Sequence, residues 1–315
     1  MRKLLIFLVL FPVMASADVL SLEDALRATY TACVGIDDEL ADMKKMAGIN
    51  TAVTAVGTAA GAGATVVGIV KANKDSQAKT TIDNMNKNLK YTEESVKKMQ
   101  WESEEDEKKW LDDFKAKMQD EVWKNDVKKL RDQSKNLGNW RTGLMAGNTA
   151  TNIAGAIIAG NNKVDEDLQT QIDNCKASVK NLRDAMMQAR MDGEDISEAN
   201  EIVSACGEYE YVDVSSINKR GKGAMISSIV GATTGVAGTV TSSVANSENV
   251  RGKDEEQMTR SNEEWQNEKN WNTAANVLAG TSTVASGVAT VFNATQISAI
   301  KKVANVASKC TGVLK

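Results

Sequence analysis

The sequence predicts an all-α fold: two disulfide-stapled antiparallel helical hairpins, in which Gly/Ala-rich small-residue helices are joined to charged coiled-coil arms. Three observations predict it. Beyond residue 17 the chain has no proline, the only one being Pro12, so long helices can run without interruption. Apolar residues recur at helical rather than alternating spacing. The four cysteines bracket a repeated order of segments.

Residues 1–17 carry the three parts of a secretory signal. Arg2 and Lys3 make a basic start, Leu4 to Val13 an apolar run, and Ala15-Ser16-Ala17 a small-residue cleavage pattern before Asp18. The run is too short to span a bilayer as a helix. Its removal takes two basic residues from a chain whose net charge is already −4. A nucleic-acid partner, which needs clustered positive charge, is therefore not expected. There is no histidine, which excludes His-based triads, His metal sites and imidazole proton relays.

The first half, residues 18–190, is read as one helical hairpin unit. It holds two uncharged small-residue segments, 51–70 and 143–160, and a charged stretch, 72–140, between them. Within that stretch Ile82, Met85, Leu89, Val96 and Met99 follow coiled-coil spacing. The seam stops at Glu102-Ser103-Glu104-Glu105-Asp106-Glu107 and resumes with Trp110, Leu111, Phe114, Met118 and Val122, then Val127, Leu130 and Leu137. Two antiparallel arms with a tip near 100–107 are expected, the alternative being one helix of ~100 Å.

A connector, 191–222, contains the only strand-like alternation, Tyr209 to Val214, too isolated to build a sheet. The second hairpin unit, 223–315, repeats the plan with segments 223–245 and 274–292. Cys33 precedes segment 51–70 by seventeen intervening residues, and Cys206 precedes segment 223–245 by sixteen. Cys175 follows segment 143–160 after fourteen, and Cys310 follows segment 274–292 after seventeen. Ala32-Cys33 echoes Ala205-Cys206, and Trp140-Arg141-Thr142-Gly143 echoes Trp271-Asn272-Thr273-Ala274. The two halves thus read as an internal duplication.

Four cysteines allow three pairings. In antiparallel hairpins Cys33 and Cys175 emerge from one end at matched distances along helix, as do Cys206 and Cys310. Those pairs are predicted, against the rival Cys175–Cys206, because a disulfide needs Cα atoms within about 7 Å.

Glycine inside a helix costs roughly 0.5–1 kcal/mol relative to alanine, and close helix–helix approach is the usual return. Gly57/Gly61, Gly143/Gly147 and Gly231/Gly235 are GxxxG pairs, and Gly280 and Gly287 lie two turns apart. All eight are candidate packing positions. These four stretches resemble the glycine-zipper segments of bacterial envelope proteins, small-residue helical modules that pack in or against membranes. The resemblance and the export signal imply a protein of the bacterial periplasm or cell envelope. Asp18 stands where the lipoproteins of that group carry a lipid-modified cysteine. The segments, 18–23 residues long, either cross a bilayer of ~30 Å, with Trp140 and Trp271 at the interface, or form a dry bundle in a soluble protein. Asn148 and Asn152 favour the bundle.

No chemistry-bearing motif emerges. Asp192-Gly193-Glu194-Asp195-Ile196 fails as a calcium loop because Gln188 and Arg190 occupy ligand positions. Gly221-Lys222-Gly223 lacks the rest of a phosphate loop. The expectation is a non-enzymatic helical scaffold, with no catalytic, metal or cofactor residues and no small-molecule substrate, partnered by membrane or by copies of itself. The alternative is a secreted membrane-active protein, pore-like or translocator-like, that is soluble before insertion.

Overall fold

A computed structural model describes residues 20–314, and the export signal expected at 1–17 lies outside the described residues. Helix dominates and no strand occurs among the described residues. The Tyr209–Val214 alternation finds no partner strand; its first half is a 3₁₀ turn, Gly207–Tyr211. The helices form two compact units built from interleaved stretches of chain.

The first unit comprises, of the described residues, 20–43, Val164–Ser215 and 299–314. Helix α1 (Leu22–Cys33) starts at Ser21, whose hydroxyl accepts from the Asp24 amide, the usual device for an unsatisfied first-turn donor. It ends where Gly35 takes φ +93°, a left-handed value that glycine adopts without strain, and α2 (Ile36–Val96) begins at once. Helix α5 (Glu166–Asp192) is capped by Asp165, which accepts from the Leu168 amide at 2.9 Å, and closes on Gly193 at φ +80°. Helix α6 (Ser197–Cys206) follows.

Cys33 pairs with Cys175 and Cys206 with Cys310, at Cα separations of 4.8 and 4.5 Å. These are the pairs that the spacing predicts. The sulfurs of Cys33, Cys175 and Cys310 all lie within 4.8 Å of one another, so the two staples are neighbours. Being oxidised, they offer no thiolate to a metal. Around them Ile36, Leu40, Ile172, Leu182 and Ile300 form an ordinary aliphatic core.

The second unit, Lys44–Lys163 and Ser216–Ser298, contains most of α2, then α3 (Glu104–Val122), a π-helical turn (Trp123–Val127), α4 (Lys128–Asn161), most of α7 (Ser215–Asn246), the single turn α8 (Glu248–Arg251) and the first part of α9 (Asn262–Val313). The break between α2 and α3 falls at 97–103, a few residues before the 100–107 expected for the tip and overlapping it. Across it Ile82, Met85 and Leu89 pack with Met118, Val122, Val127 and Leu130. Met99 is exposed in the turn. Trp110 leaves the seam to stack on Phe114 at 5.1 Å.

Four helices surround one seam in this unit. Paired positions rise in one helix as they fall in the next, so neighbours are antiparallel. Asn50 and Thr54 of α2 meet Asn293 and Thr290 of α9, and Asp75 of α2 meets Arg131 and Ser134 of α4. Thr142 of α4 meets Ser242 of α7, and Ser282 of α9 donates to the Gly231 carbonyl of α7. Buried positions alternate in steps of three and four along each helix: 131, 134, 138, 141, 145, 148, 152, 155 and 159 in α4, and 217, 221, 224, 228, 231, 235, 238, 242 and 245 in α7. That 3.5-residue period is the pattern of a left-handed coiled coil. What fills it is unusual, because most of these positions are polar or tiny.

Candidate functional site: an uncharged band with a polar seam

Each of the four helices carries a long stretch without a single charge: 46–70 in α2, 142–162 across α4, 223–247 across α7 and 270–300 in α9. The shortest, twenty-one residues, measures about 32 Å at 1.5 Å per residue, and the pairings above set all four side by side. The seam inside this band is polar and cross-linked by hydrogen bonds, with Asn50 Oδ1, Ser228 Oγ and Gln296 Oε1 buried without a hydrogen-bond partner. Asn148 donates to Ser282 at 2.7 Å, Asn152 donates to Ser286 at 2.8 Å, and Gln296 donates to the Asn162 carbonyl at 2.9 Å. These three rungs link α4 to α9 at one constant sequence offset, 134 residues. Asn50 donates to Asn293 at 2.9 Å lower in the same seam.

The outside of the band is aliphatic. Val56, Val66, Val284 and Val291 are each 60% exposed or more. Ile153 and Ile157 of α4, and Ile226, Ile229, Val236 and Val240 of α7, also point outward. In a water-soluble bundle the large apolar residues occupy the a and d positions and the polar ones the surface. Here the two are exchanged. Among the described residues, three helices are long and apolar enough to cross a membrane by length and composition: those containing α2, α7 and α9. Helix α4 falls short on composition, yet its Asn148 and Asn152 are buried in the seam and make no demand on the outer surface.

The glycines divide by segment. A Cβ on Gly57 would lie 2.4 Å from Thr151 Oγ1 and 3.2 Å from Asn148, and one on Gly61 would meet Thr283 and Asn148 at 2.5 and 2.8 Å. Gly231 faces the Asn152 amide at 2.6 Å, and Gly235 faces Thr149 and Ser282 at 2.5 and 3.3 Å. These four are holes that receive Asn, Thr and Ser knobs from α4 and α9. The packing role expected of the other four is not found. Gly143, Gly147 and Gly280 have nothing within 4 Å of a built Cβ, and Gly287 only Thr58 Cγ2 at 3.8 Å. In α4 and α9 the seam positions belong to Asn148, Asn152, Ser282 and Ser286 instead, which turns the glycines beside them outward. Gly280 floors an open apolar groove between α7 and α9 that also exposes Ile226, Val230 and Val284. Trp140 is 69% exposed and Trp271 37%.

At one end the band stops at a buried charge cluster that sequence reading missed. Arg131, fully buried, donates to Asp75 at 2.7 Å, to both carboxylate oxygens of Glu268 at 3.1 and 3.2 Å, and to the Arg251 carbonyl at 2.8 Å. Lys71 donates to Asp75 at 2.7 Å, Arg260 pairs with Glu268, and Arg251 donates back to the Arg131 carbonyl. The Arg131 and Arg260 guanidinium groups both lie over the Trp265 ring, 4.9 and 4.5 Å from its centroid, a cation–π arrangement. Burial and the nearby Arg131 lower the Arg251 pKa from its ordinary value, with Asp254, Glu268 and Asp75 opposing. Arg141, also buried, donates to Ser242, Asn276 and Asn272. A cavity of about 370 Å³ opens beside the cluster, lined among others by Lys79, Trp265 and Asn272.

Both carboxylates are engaged by cations, and the Ser134 hydroxyl also donates to Asp75. The arrangement fixes register. Its partners on different helices are 56 to 197 residues apart in sequence, and a one-step slip of any helix strands a buried charge, which costs roughly 3–5 kcal/mol. Sequence reading could not reveal the cluster, because Lys71 and Asp75 read as an ordinary i,i+4 pair and Arg131 and Glu268 lie on other helices, 56 or more residues away. Comparison with protein-family models, with curated proteins and with solved structures finds no match for this chain.

Proposed function

We propose that the protein is a non-enzymatic, exported helical scaffold of the cell envelope, held in a lipid bilayer by the uncharged band of its second unit. The observation that carries this reading is the exchange of faces: hydrogen-bonded Asn, Ser and Thr pairs inside, valine and isoleucine outside, over a length that matches a hydrocarbon core of ~30 Å. In a bilayer, lipid covers the aliphatic surface and close packing plus interhelical hydrogen bonds hold the helices. Export by residues 1–17 and a duplicated, disulfide-stapled hairpin plan belong to the same proposal. The alternative, a form soluble before insertion, must bury these same valines and isoleucines, and the seam that could receive them is already filled by polar knobs.

The test uses a single introduced thiol, since all four native cysteines are in disulfides. A nitrobenzoxadiazole label on V284C should emit at blue-shifted wavelength in phosphatidylcholine vesicles and be quenched by nitroxides on the lipid chains, while the same label on E104C stays aqueous. Aqueous emission from both labels, with the protein released by alkaline carbonate, refutes the proposal.

A further inference from the structure

We infer that the first unit contains an intramolecular thiol–disulfide exchange site, independent of the bilayer reading above. In it Cys310, once released from Cys206, attacks the Cys33–Cys175 disulfide, so that reducing equivalents entering at one staple pass to the other. The sulfurs of Cys33, Cys175 and Cys310 lie within 4.8 Å of one another, and the Cys206 sulfur stands outside that group. Sulfurs from three helices, α1, α5 and α9, therefore share one spot, although the third is bonded to neither of the other two.

The place of each cysteine sets the direction. Cys206 is the last residue of α6, and Cys310 lies in the last turn of α9, which ends at Val313. Helix ends carry unsatisfied carbonyls and open most readily, and the Thr311 hydroxyl next to Cys310 is buried without a hydrogen-bond partner. Cys175 sits inside α5. Helix α1, which brings Cys33, is held to α5 by Thr29 donating to the Ser178 carbonyl at 3.2 Å and by Gln171 donating to the Val34 carbonyl at 3.0 Å. All four cysteines are buried, so an external reductant acts through local opening, which is easiest at Cys206–Cys310.

A dithiol reductant gives two electrons to Cys206–Cys310, becoming a disulfide itself and leaving a thiol on each cysteine. Cys310 then ionises, and its Sγ bonds to Cys175 Sγ as the Cys175–Cys33 bond breaks. Cys33 leaves as a thiolate and takes up the proton that Cys310 lost. Attack on Cys33 releases Cys175 in the same way. No electron is gained or lost in this second step, which needs only a thiolate within reach of a disulfide sulfur, and rotation of a side chain between staggered wells closes the remaining gap. When Cys175 is the sulfur taken, α5 becomes tied to α9, and α1 is left to its hydrogen bonds and packing.

The experiment exposes the folded wild-type chain to substoichiometric dithiothreitol without oxygen, quenches with acid, alkylates the free thiols and maps the disulfide-linked peptides. Peptides joining Cys310 to Cys175 or Cys33 should appear together with alkylated Cys206, and none should join Cys206 to Cys33 or Cys175. The same treatment in guanidinium chloride, where position no longer selects, should yield both kinds. In C206S the free thiol should spread over Cys310, Cys175 and Cys33, whereas in C310S it should stay on Cys206. Native pairs alone at every degree of reduction overturn the exchange site. So do Cys206 cross-links as abundant as those of Cys310 in the folded chain, or a thiol confined to Cys310 in C206S.

Discussion

Gly231→Ala and Gly147→Ala are the same chemical change in two helices of one bundle, and the structure assigns them opposite signs. A methyl group at Gly231 would lie 2.6, 2.7 and 2.9 Å from Oδ1, Cγ and Nδ2 of Asn152. That amide cannot swing aside freely, because it donates to the Asn148 carbonyl at 2.9 Å, to Asn148 Oδ1 at 2.8 Å and to Ser286 at 2.8 Å. Displacing it leaves at least one buried polar group unpaired, at roughly 1–3 kcal/mol. The better helix propensity of alanine returns roughly 0.5–1 kcal/mol, so a net loss of about 1–2 kcal/mol is expected. At Gly147 a built Cβ meets nothing within 4 Å, and only the propensity gain of roughly 0.5–1 kcal/mol remains. Urea titration of both variants, followed by circular dichroism at 222 nm in the same detergent, measures the difference. Equal midpoints, or a stabilised Gly231→Ala, would refute the account of knobs in glycine holes.

Arg131→Met should destabilise the second unit by roughly 3–5 kcal/mol, because Asp75 and Glu268 lose a shared buried partner; the double change Arg131→Met with Glu268→Leu should recover part of the loss, and a thermal melt reads both. Removing the Cys206–Cys310 staple as C206S/C310S opens a loop spanning 104 residues and should lower stability by up to about 4–5 kcal/mol in the chain-entropy model, checked by denaturation against wild type under non-reducing conditions. Tyr209 is buried with a hydroxyl that lacks a hydrogen-bond partner, and burial, with Asp37 nearby, raises its phenol above the ordinary value. A raised acid means that the folded state holds its proton longer than the unfolded state, so stability falls as pH rises beyond about 10. Tyr209→Phe should flatten that alkaline loss, as followed by urea midpoints across the range.

Much was legible from the residues alone. Missing proline and three-four periodicity determine an all-helical chain, since nothing interrupts the backbone ladder and one face of each helix repeats in register. Matched cysteine spacings determine the pairing, because only residues emerging at equal levels can approach within disulfide reach. The uncharged stretches are equally plain in the sequence. Which face of those stretches turns inward was decided by tertiary structure. Sequence reading sends all eight glycines to packing positions; here Gly57, Gly61, Gly231 and Gly235 face the seam, while Asn148, Asn152, Ser282 and Ser286 take the seam of α4 and α9 and turn Gly143, Gly147 and Gly280 outward. A lone asparagine is costly to bury and becomes tolerable only when another helix supplies its partner, and Ser282 lies 134 residues from Asn148. The charge cluster has the same origin: Lys71, Asp75, Arg131 and Glu268 are four unremarkable surface charges until three helices bring them into one buried network of ion pairs.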